Sequence, residues 1–552
     1  MLHLRLLLLA LSAVVALSAV PAASAAPGDL DPSFGSGGSV RLLPSNEDVN
    51  LRAVAVQPDL KIVMAGADYL SNSVILVRLL PSGQLDPTFG SGGLVATPFA
   101  GFGEARAIAL QPDGKIVIAG AAKGVVNADF LIARYNTDGS PDTGFGGGDG
   151  IQLLPIGAGA EEAEAVAIGP GGRILATGWT DLGSSKTHAP VAVLKPNGEP
   201  DPAFAGDGTT IVDTTADDSD EGVAIAELAD GRILIGDASG SGGGKGFRLV
   251  RLLSSGAPDP EFGGGDGIVE TPIPSTGDGR ITDFALRPDG RIVSSGYGFD
   301  EGTPSDSKFA AVGYLGNGEL DASFAGTGIF AQQIGAGSDS AQVVQLAPNG
   351  KVLLAGLYDA APGNQSTALL RLDQLGALDP SFGSGGIVRR GVTAPFGEIL
   401  QDAALDAEER MVVVSTAYIG GGNTEVVVSR YLGDLRPPQP SAPINQPPHA
   451  RMKKVKKKVA AEKLKGFSGT ASDPDGHGVQ RVQIALVKRG KVAKAKLRWR
   501  AVKGKKKWRL RLKRELRPGR YVVFARAIDG TGLAEAKFSR KLRNRYAFRV
   551  LP

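Results

Sequence analysis

Short apolar runs separated by glycine-rich turns recur along most of the chain, and apolar positions alternate with polar ones instead of following a helical period. Residues 85–139 show the pattern in full: LDPTFGSGG, then ARAIALQPDGKIVIAG, then FLIARYNTDG. There, residues 107–111 are predicted to pair with residues 115–119 across Pro112-Asp113-Gly114, a turn whose glycine can take φ > 0. A third strand is predicted over 130–135 and a fourth over 151–154.

The unit repeats. Its turn aromatic falls at Phe34, Phe89, Phe145, Phe204, Phe262, Phe324 and Phe382, at spacings of 55 to 62 residues. Between them a hairpin signature returns as PDLKIVMAG, PDGKIVIAG, PGGRILATG, ADGRILIGD, PDGRIVSSG and PNGKVLLAG, with a worn copy, AEERMVVVS, from Ala407. Four short strands per unit, repeated radially, predict an all-β fold: a seven-bladed β-propeller of four-stranded blades over residues 26–435. Solenoid coils are usually shorter and need no hairpin turn. The phase of the repeat leaves an orphan outer strand at 39–43 and a last blade lacking one, so the N-terminal strand is expected to close the last blade.

Composition adds a second domain. Residues 446–552 hold 33 Lys and Arg against 6 Asp and Glu, a net of +27, which leaves −24 for residues 1–445 in a chain of total charge +3. Such a split predicts two domains with different electrostatic roles. Residues 436–448 read as a Pro-rich linker, and residues 449–552 as a small basic β module. At the other end, Arg5, an apolar stretch over 6–20 and Ala23-Ser24-Ala25 read as a signal peptide over 1–25, so the mature chain is expected to be secreted or associated with the cell surface. No second apolar run is long enough to span a bilayer. With no Cys, disulfides and thiolate metal sites are excluded.

The D-x-x-F-G-x-G-G turn and the D-G-K-I-V-x-A-G hairpin resemble the delta-60 repeat family of bacterial surface and secreted proteins, over about residues 28–435. The resemblance implies a propeller-like β fold and no defined activity. The chain departs from the pattern at Leu60, Gly171 and Glu408-Glu409, where the D-G turn is altered. In the C-terminal module, residues 519–529 resemble a late strand of an immunoglobulin-like sandwich, and the whole resembles bacterial Ig-like surface modules.

Several residues are candidates for chemistry. The turn acids Asp31, Asp86, Asp142, Asp201, Asp259, Asp321 and Asp379 suit Asx-type turns better than calcium, since one carboxylate per loop is too few. Asp473 and Asp475 read as a turn on the same argument, and no cofactor is expected, calcium being the weak exception. Arg78, Arg134, Arg251, Arg371 and Arg430 are expected to pair with the turn acids, and the Phe series to wedge between blades. Six residues before each hairpin Pro or its equivalent stand Arg52, Arg106, Glu164, Val223, Thr282, Gln342 and Gln401, expected at the channel mouth. Arg52, Arg106 and Glu164 are candidates there for binding an acidic ligand or for acid–base chemistry with an Arg clamp. The acidic runs at 161–164 and 217–221 read mainly as solvated surface. Binding is expected in the variable loops at 69–73, 180–190, 237–246, 297–308 and 357–367.

Four His in all, His3, His188, His449 and His477, argue against a His-ligated metal or His-dependent triad within the repeats. The function expected is non-catalytic: a binding or scaffold protein at the cell envelope, its loops engaging a ligand, which can be a protein. The alternative is a propeller enzyme, a polysaccharide hydrolase or lyase using the channel mouth. In the tail, Lys453, Lys454, Lys456, Lys457, Lys458, Lys505, Lys506 and Lys507 are candidates for tethering to an anionic cell-envelope polymer or polysaccharide. Nucleic acid is disfavoured, and contact between the acidic propeller and the basic module is a further expectation.

Overall fold

A computed structural model describes residues 25–42, 49–123, 127–183, 186–214, 219–238, 246–273, 276–300, 303–361, 364–390, 397–420, 423–434, 449–453, 458–460, 463–472, 479–488, 500–502, 507–512, 515–529 and 545–551. The chain divides into two units, 1–435 and 436–552. Most of the leader and of the linker expected from the sequence lies outside the described residues, as do Asp473 and Asp475.

In the first unit, Val49–Val56, Ile62–Asp68, Ser73–Leu79 and Leu94–Pro98 form an antiparallel sheet in chain order. Five further sheets repeat that order, with first strands Gly103–Leu110, Glu161–Ile168, Gly222–Glu227, Thr276–Leu286 and Ser340–Leu346. The seventh takes Glu398–Leu405, Met411–Gly420 and Asn423–Tyr431 from the end of the unit and Ser39–Leu42 from its beginning. Second and third strands are near-continuous apolar runs, because neighbouring sheets cover both of their faces. One cluster holding Val63, Phe89, Ile118 and Tyr135 joins the first and second sheets. Another, with Phe34, Val54, Val414 and Val428, joins the first sheet to the seventh. The turn Phe residues at Phe34, Phe89, Phe145, Phe204 and Phe262 are fully buried, each worth about 1.5–3 kcal/mol.

All seven hairpins form, including the three whose turns depart from the pattern. Gly114 turns at φ +85°, and Leu60 and Glu409 adopt the same left-handed conformation at +67° and +62°, at a cost of about 1–2 kcal/mol each.

The second recurrent device is a clamp at the DPxF turn. Asp86 Oδ1 accepts from the N–H and Oγ1 of Thr88, at 3.0 and 2.7 Å, and Asp86 Oδ2 accepts from Arg78 Nε at 2.9 Å. The Arg78 guanidinium lies 4.3 Å from the Phe89 ring centroid and donates to the Thr137 carbonyl of the next sheet's turn. Arg134, Arg251 and Arg430 repeat the arrangement with Asp142, Asp259 and Asp31, donating to the carbonyls of Pro196, Gly316 and Pro81. Arg371 bonds Asp379 in the same way and reaches the Asp434 carboxylate instead of a carbonyl. The basic residue following each hairpin turn reaches every turn acid, from Lys115 on Asp142 at 2.7 Å to Arg410 on Asp31 at 3.5 Å, as a second cation for the five acids already held by an Arg. Both oxygens of these carboxylates are therefore engaged, as the Asx-turn reading requires.

Ser39–Leu42 pairs with Asn423–Tyr431 in antiparallel register, Ser39 opposite Ser429 and Leu42 opposite Val426. The preceding DPSFGSGG turn docks on the same sheet through Arg430 on Asp31, 2.8 Å, and the Arg430 guanidinium over Phe34, 4.7 Å.

The second unit has two sheets. One contains His449–Met452, Gly466–Ser472 and Lys507–Arg511; the other contains Lys458–Ala460, Arg545–Leu551, Gly519–Asp529, Val479–Lys488 and Arg500–Ala501. Phe467 and Trp508 of the first share a core with Val482, Val523 and Val550 of the second. Among the described residues of the whole chain no helix is long and apolar enough to cross a membrane.

Deleting residues 26–44 is expected to lower the thermal midpoint of the whole first unit; an unchanged unfolding curve overturns that expectation. Arg430→Ala, which removes the nearer of the two cations beside Asp31 and leaves it Arg410 at 3.5 Å, is expected to cost about 1.5–3 kcal/mol by chemical denaturation.

Candidate functional site

The first strand of every sheet carries one residue too many. The ladder with the second strand skips a position between Leu51 and Ala53, Ala105 and Ala107, Ala163 and Ala165, Gly222 and Ala224, Ile281 and Asp283, Ala341 and Val343, and Leu400 and Asp402. The extra residues are Arg52, Arg106, Glu164, Val223, Thr282, Gln342 and Gln401. A bulge frees a residue from pairing and re-aims its side chain. All seven line one cavity of about 500 Å³, to which every first strand contributes.

Charge fills one arc of this ring. Arg52 Nε lies 2.5 Å from Glu104 Oε1. Arg106 grips Glu162 with two bonds, Nε to Oε1 at 2.6 Å and Nη2 to Oε2 at 3.1 Å, and its Nε is 3.1 Å from Glu104. Glu221 pairs with Arg280. The Arg52–Glu104, Arg106–Glu162 and Arg280–Glu221 pairs bridge adjacent sheets. Burial works against the Arg106 charge, but Glu164, Glu162 and Glu104 hold its pKa above the ordinary arginine value. Both candidate guanidinium groups, Arg52 and Arg106, are thus paired with carboxylates of the protein itself.

Glu164 itself has no hydrogen-bond or ion-pair partner among the described residues. Burial, opposed by Arg106 and reinforced by Glu162 and Glu221, pushes its carboxyl up to about 7. Gln342 and Gln401 are equally unpartnered among the described residues, whereas Thr282 Oγ1 is tied to the Ala341 carbonyl at 2.9 Å.

Two cavity residues were not singled out in the sequence. Asp283 and Asp402 each follow a bulge residue, where the other sheets place Ala or Val. Asp283 accepts from the N–H of Phe284, 2.8 Å, and of Val344 in the next sheet, 2.9 Å. Asp402 accepts from the N–H of Ala403 and of Val54 in the first sheet, both at 2.7 Å. They reach the cavity, yet protein walls them so closely that burial lifts both to about 7 against the pull of these N–H donors; the charge of Asp402 adds to the lift on Asp283. The only signal was the interruption of an Ala/Val series by Asp.

At Glu161 and Asp220 the acidic connections are buried, not solvated. Glu161 and Asp220 are 1 % and 0 % exposed. Glu161 accepts from the Ile156 N–H at 2.9 Å, and Asp220 from Thr214 N–H and Oγ1 at 3.0 and 2.6 Å, so each carboxylate caps the loop that precedes its strand. Residues 217–218 lie outside the described residues. His188, in the third strand of its sheet, does not line the cavity. Among the described residues no three His, Asp or Glu are grouped to hold a metal. In the second unit Lys453, Lys458 and Lys507 are exposed, and Lys454, Lys456, Lys457, Lys505 and Lys506 lie outside the described residues. Along Lys507–Arg511, Trp508 is buried and Leu510 half-buried, while Lys507, Arg509 and Arg511 face solvent.

Residues 57–89, 111–145, 228–262 and 347–382 match the model of a family described as a domain of unknown function (DUF5122) β-propeller. These matches and the repeated four-stranded antiparallel sheets support a β-propeller repeat fold. No curated protein matches it. Among solved structures it is similar to a polysaccharide lyase, ulvan lyase, at 11 % identity and a TM-score of 0.37, covering 74 % of this chain and 94 % of that one. A glucose dehydrogenase is similar at 14 % identity and 0.32, covering 58 % and 95 %. A subtype N10 neuraminidase-like protein of little yellow-shouldered bat origin is similar at 10 % and 0.34, covering 71 % and 98 %.

The shifted acids set a pH profile. Asp283, Asp402 and Glu164 keep their protons in the folded chain up to about pH 7, whereas the unfolded chain loses them near pH 4. Stability therefore falls as pH rises from about 4 to about 7 and levels off above. Asp86 and Asp142 are opposed by burial, but Thr88, Gly144 and their basic partners hold them at about 2. Their contribution is present above about pH 4 and is lost below it. Thermal midpoints should peak near pH 4–5 and decline to pH 7.5, and Asp283→Asn with Asp402→Asn should flatten that decline. A wild-type midpoint constant from pH 5 to 7.5 overturns this.

Proposed function

We propose that the seven sheets are the blades of one closed propeller whose central cavity binds a ligand without transforming it. One observation carries the reading. At the seven bulge positions the backbone repeats while the side chain does not, whereas the turn acids, hairpin basic residues and turn Phe residues repeat in both. Positions held in place but free in identity are where a repeat scaffold acquires specificity. Catalysis is disfavoured by the state of the carboxyls: Asp283 and Asp402 have both oxygens bonded to backbone N–H, which leaves Glu164 without a second free carboxyl for hydrolase or lyase chemistry.

The second unit, in this reading, is an immunoglobulin-like sandwich that tethers the protein to an anionic polymer of the cell envelope after secretion. Lys507, Arg509 and Arg511 project from one strand at intervals of about 7 Å, a cationic row on a sheet whose other face is core. Full-length protein should be retained on an immobilised anionic wall polymer and released by salt. Replacing Lys507, Arg509 and Arg511 with Ser should move release to distinctly lower salt; release at the same salt would remove the tethering role from this face. Ligand binding is tested on full-length protein by thermal shift against a glycan and wall-polymer panel, with Glu164→Gln as the cavity variant. Turnover of any panel member that is abolished by Glu164→Gln would favour the enzyme.

A further inference from the structure

Resting on the cavity as the binding site, we infer that its ligand is a neutral, polyhydroxylated molecule, a mono- or disaccharide unit. The two cations that line the cavity, Arg52 and Arg106, are already paired with Glu104 and Glu162, which stand outside its lining. A ligand with a net charge would have to leave water for a site holding no free counter-charge of fixed sign, which is costly. What the wall leaves unpartnered among the described residues is one carboxyl, Glu164, and two primary amides, Gln342 and Gln401, on separate sheets around the ring. Amide N–H groups donate and amide and carboxyl oxygens accept, and a hydroxyl does both, so several hydroxyls spread over a ring satisfy all three residues together.

The apolar part of the lining fits the same class. Ile108, Val166 and Ile225 lie between the polar groups, where the C–H faces of a sugar ring need contact. A volume of about 500 Å³ lies within the range of small-ligand pockets. Tyr69, 37 % exposed, contacts Arg52 at the wall, its hydroxyl accepting from Nη2 at 3.4 Å. Tyr418, 40 % exposed, borders a recess that shares Ile399 with the cavity. They stand on the adjoining first and seventh sheets and present aromatic surface on which a sugar ring can stack.

The test is titration calorimetry on the full-length chain with glucose, galactose, mannose, N-acetylglucosamine, cellobiose and maltose, against glucuronate and glucosamine as charged counterparts. A neutral sugar should bind, and Gln342→Ala with Gln401→Ala should weaken it at least tenfold. Hydrogen exchange on unmodified protein, with the neutral sugar that binds, should show protection in Ser340–Leu346 and Glu398–Leu405, a readout independent of whether the variant folds. Preference for a charged sugar, with the same protection, overturns the ligand class and leaves the cavity as the site. Binding that protects neither strand, or no binding by any of these sugars, overturns the inference; the broader panel then decides whether the cavity binds anything else.

Discussion

Asp31 and Arg430 stand 399 positions apart and meet at 2.8 Å in the interior. The arrangement of the first unit depends on contacts of that kind, because the seventh sheet lacks an outer strand until the chain's beginning supplies one. The same three parts, a turn acid, an arginine and a buried phenylalanine, recur along the sheets. Only at the seam do they join residues remote in sequence. Elsewhere the clamp is local, with acid and arginine eight residues apart. The interaction is strong because it is buried and fully satisfied: each oxygen of the acid has a donor and the guanidinium has acceptors on two sheets.

A repeat built this way separates two tasks. The turn end of each sheet is fixed by cation, carboxylate and aromatic ring, and changes little from unit to unit. The first strand contributes a bulge that holds the backbone constant and leaves the side chain free. That freedom has been used unevenly: a charged arc over the first three sheets and a neutral polar arc over the last three. The paired Arg and Glu residues also connect one sheet to the next, so the cavity wall and the contacts between sheets are made from the same side chains.

Much of this was legible in the sequence, and the reasons for the rest are specific. The spacing of the Phe series, the hairpin signature and the phase of the repeat located the strands, including the orphan at the N-terminus. Counting six residues back from each hairpin Pro found all seven cavity positions without revealing that they are bulges. Glu104 escaped notice, and Glu162 was read as part of a solvated run, because each lies two residues before a cavity residue and bonds across to the preceding sheet. Lys61, Lys115, Arg173, Arg232, Arg291, Lys351 and Arg410 were visible as a repeated cation, but their acids lie two strands away. Glu161 and Asp220 looked solvated because a run of acids reads the same whether it meets water or backbone N–H groups.

The N-terminal strand has a consequence for the order of events during synthesis. Ser39–Leu42 leaves the ribosome before its partner, Asn423–Tyr431, which emerges nearly four hundred residues later, on the order of tens of seconds at 5–20 residues per second. Through that interval one strand waits unpaired, and when its partner arrives the last sheet is three strands wide with an open edge. Such an edge can be met by the same strand of another copy as well as by its own. Whether a molecule closes on itself or on its neighbour is then a competition between a tethered strand at high effective concentration and free copies at the concentration of nascent protein.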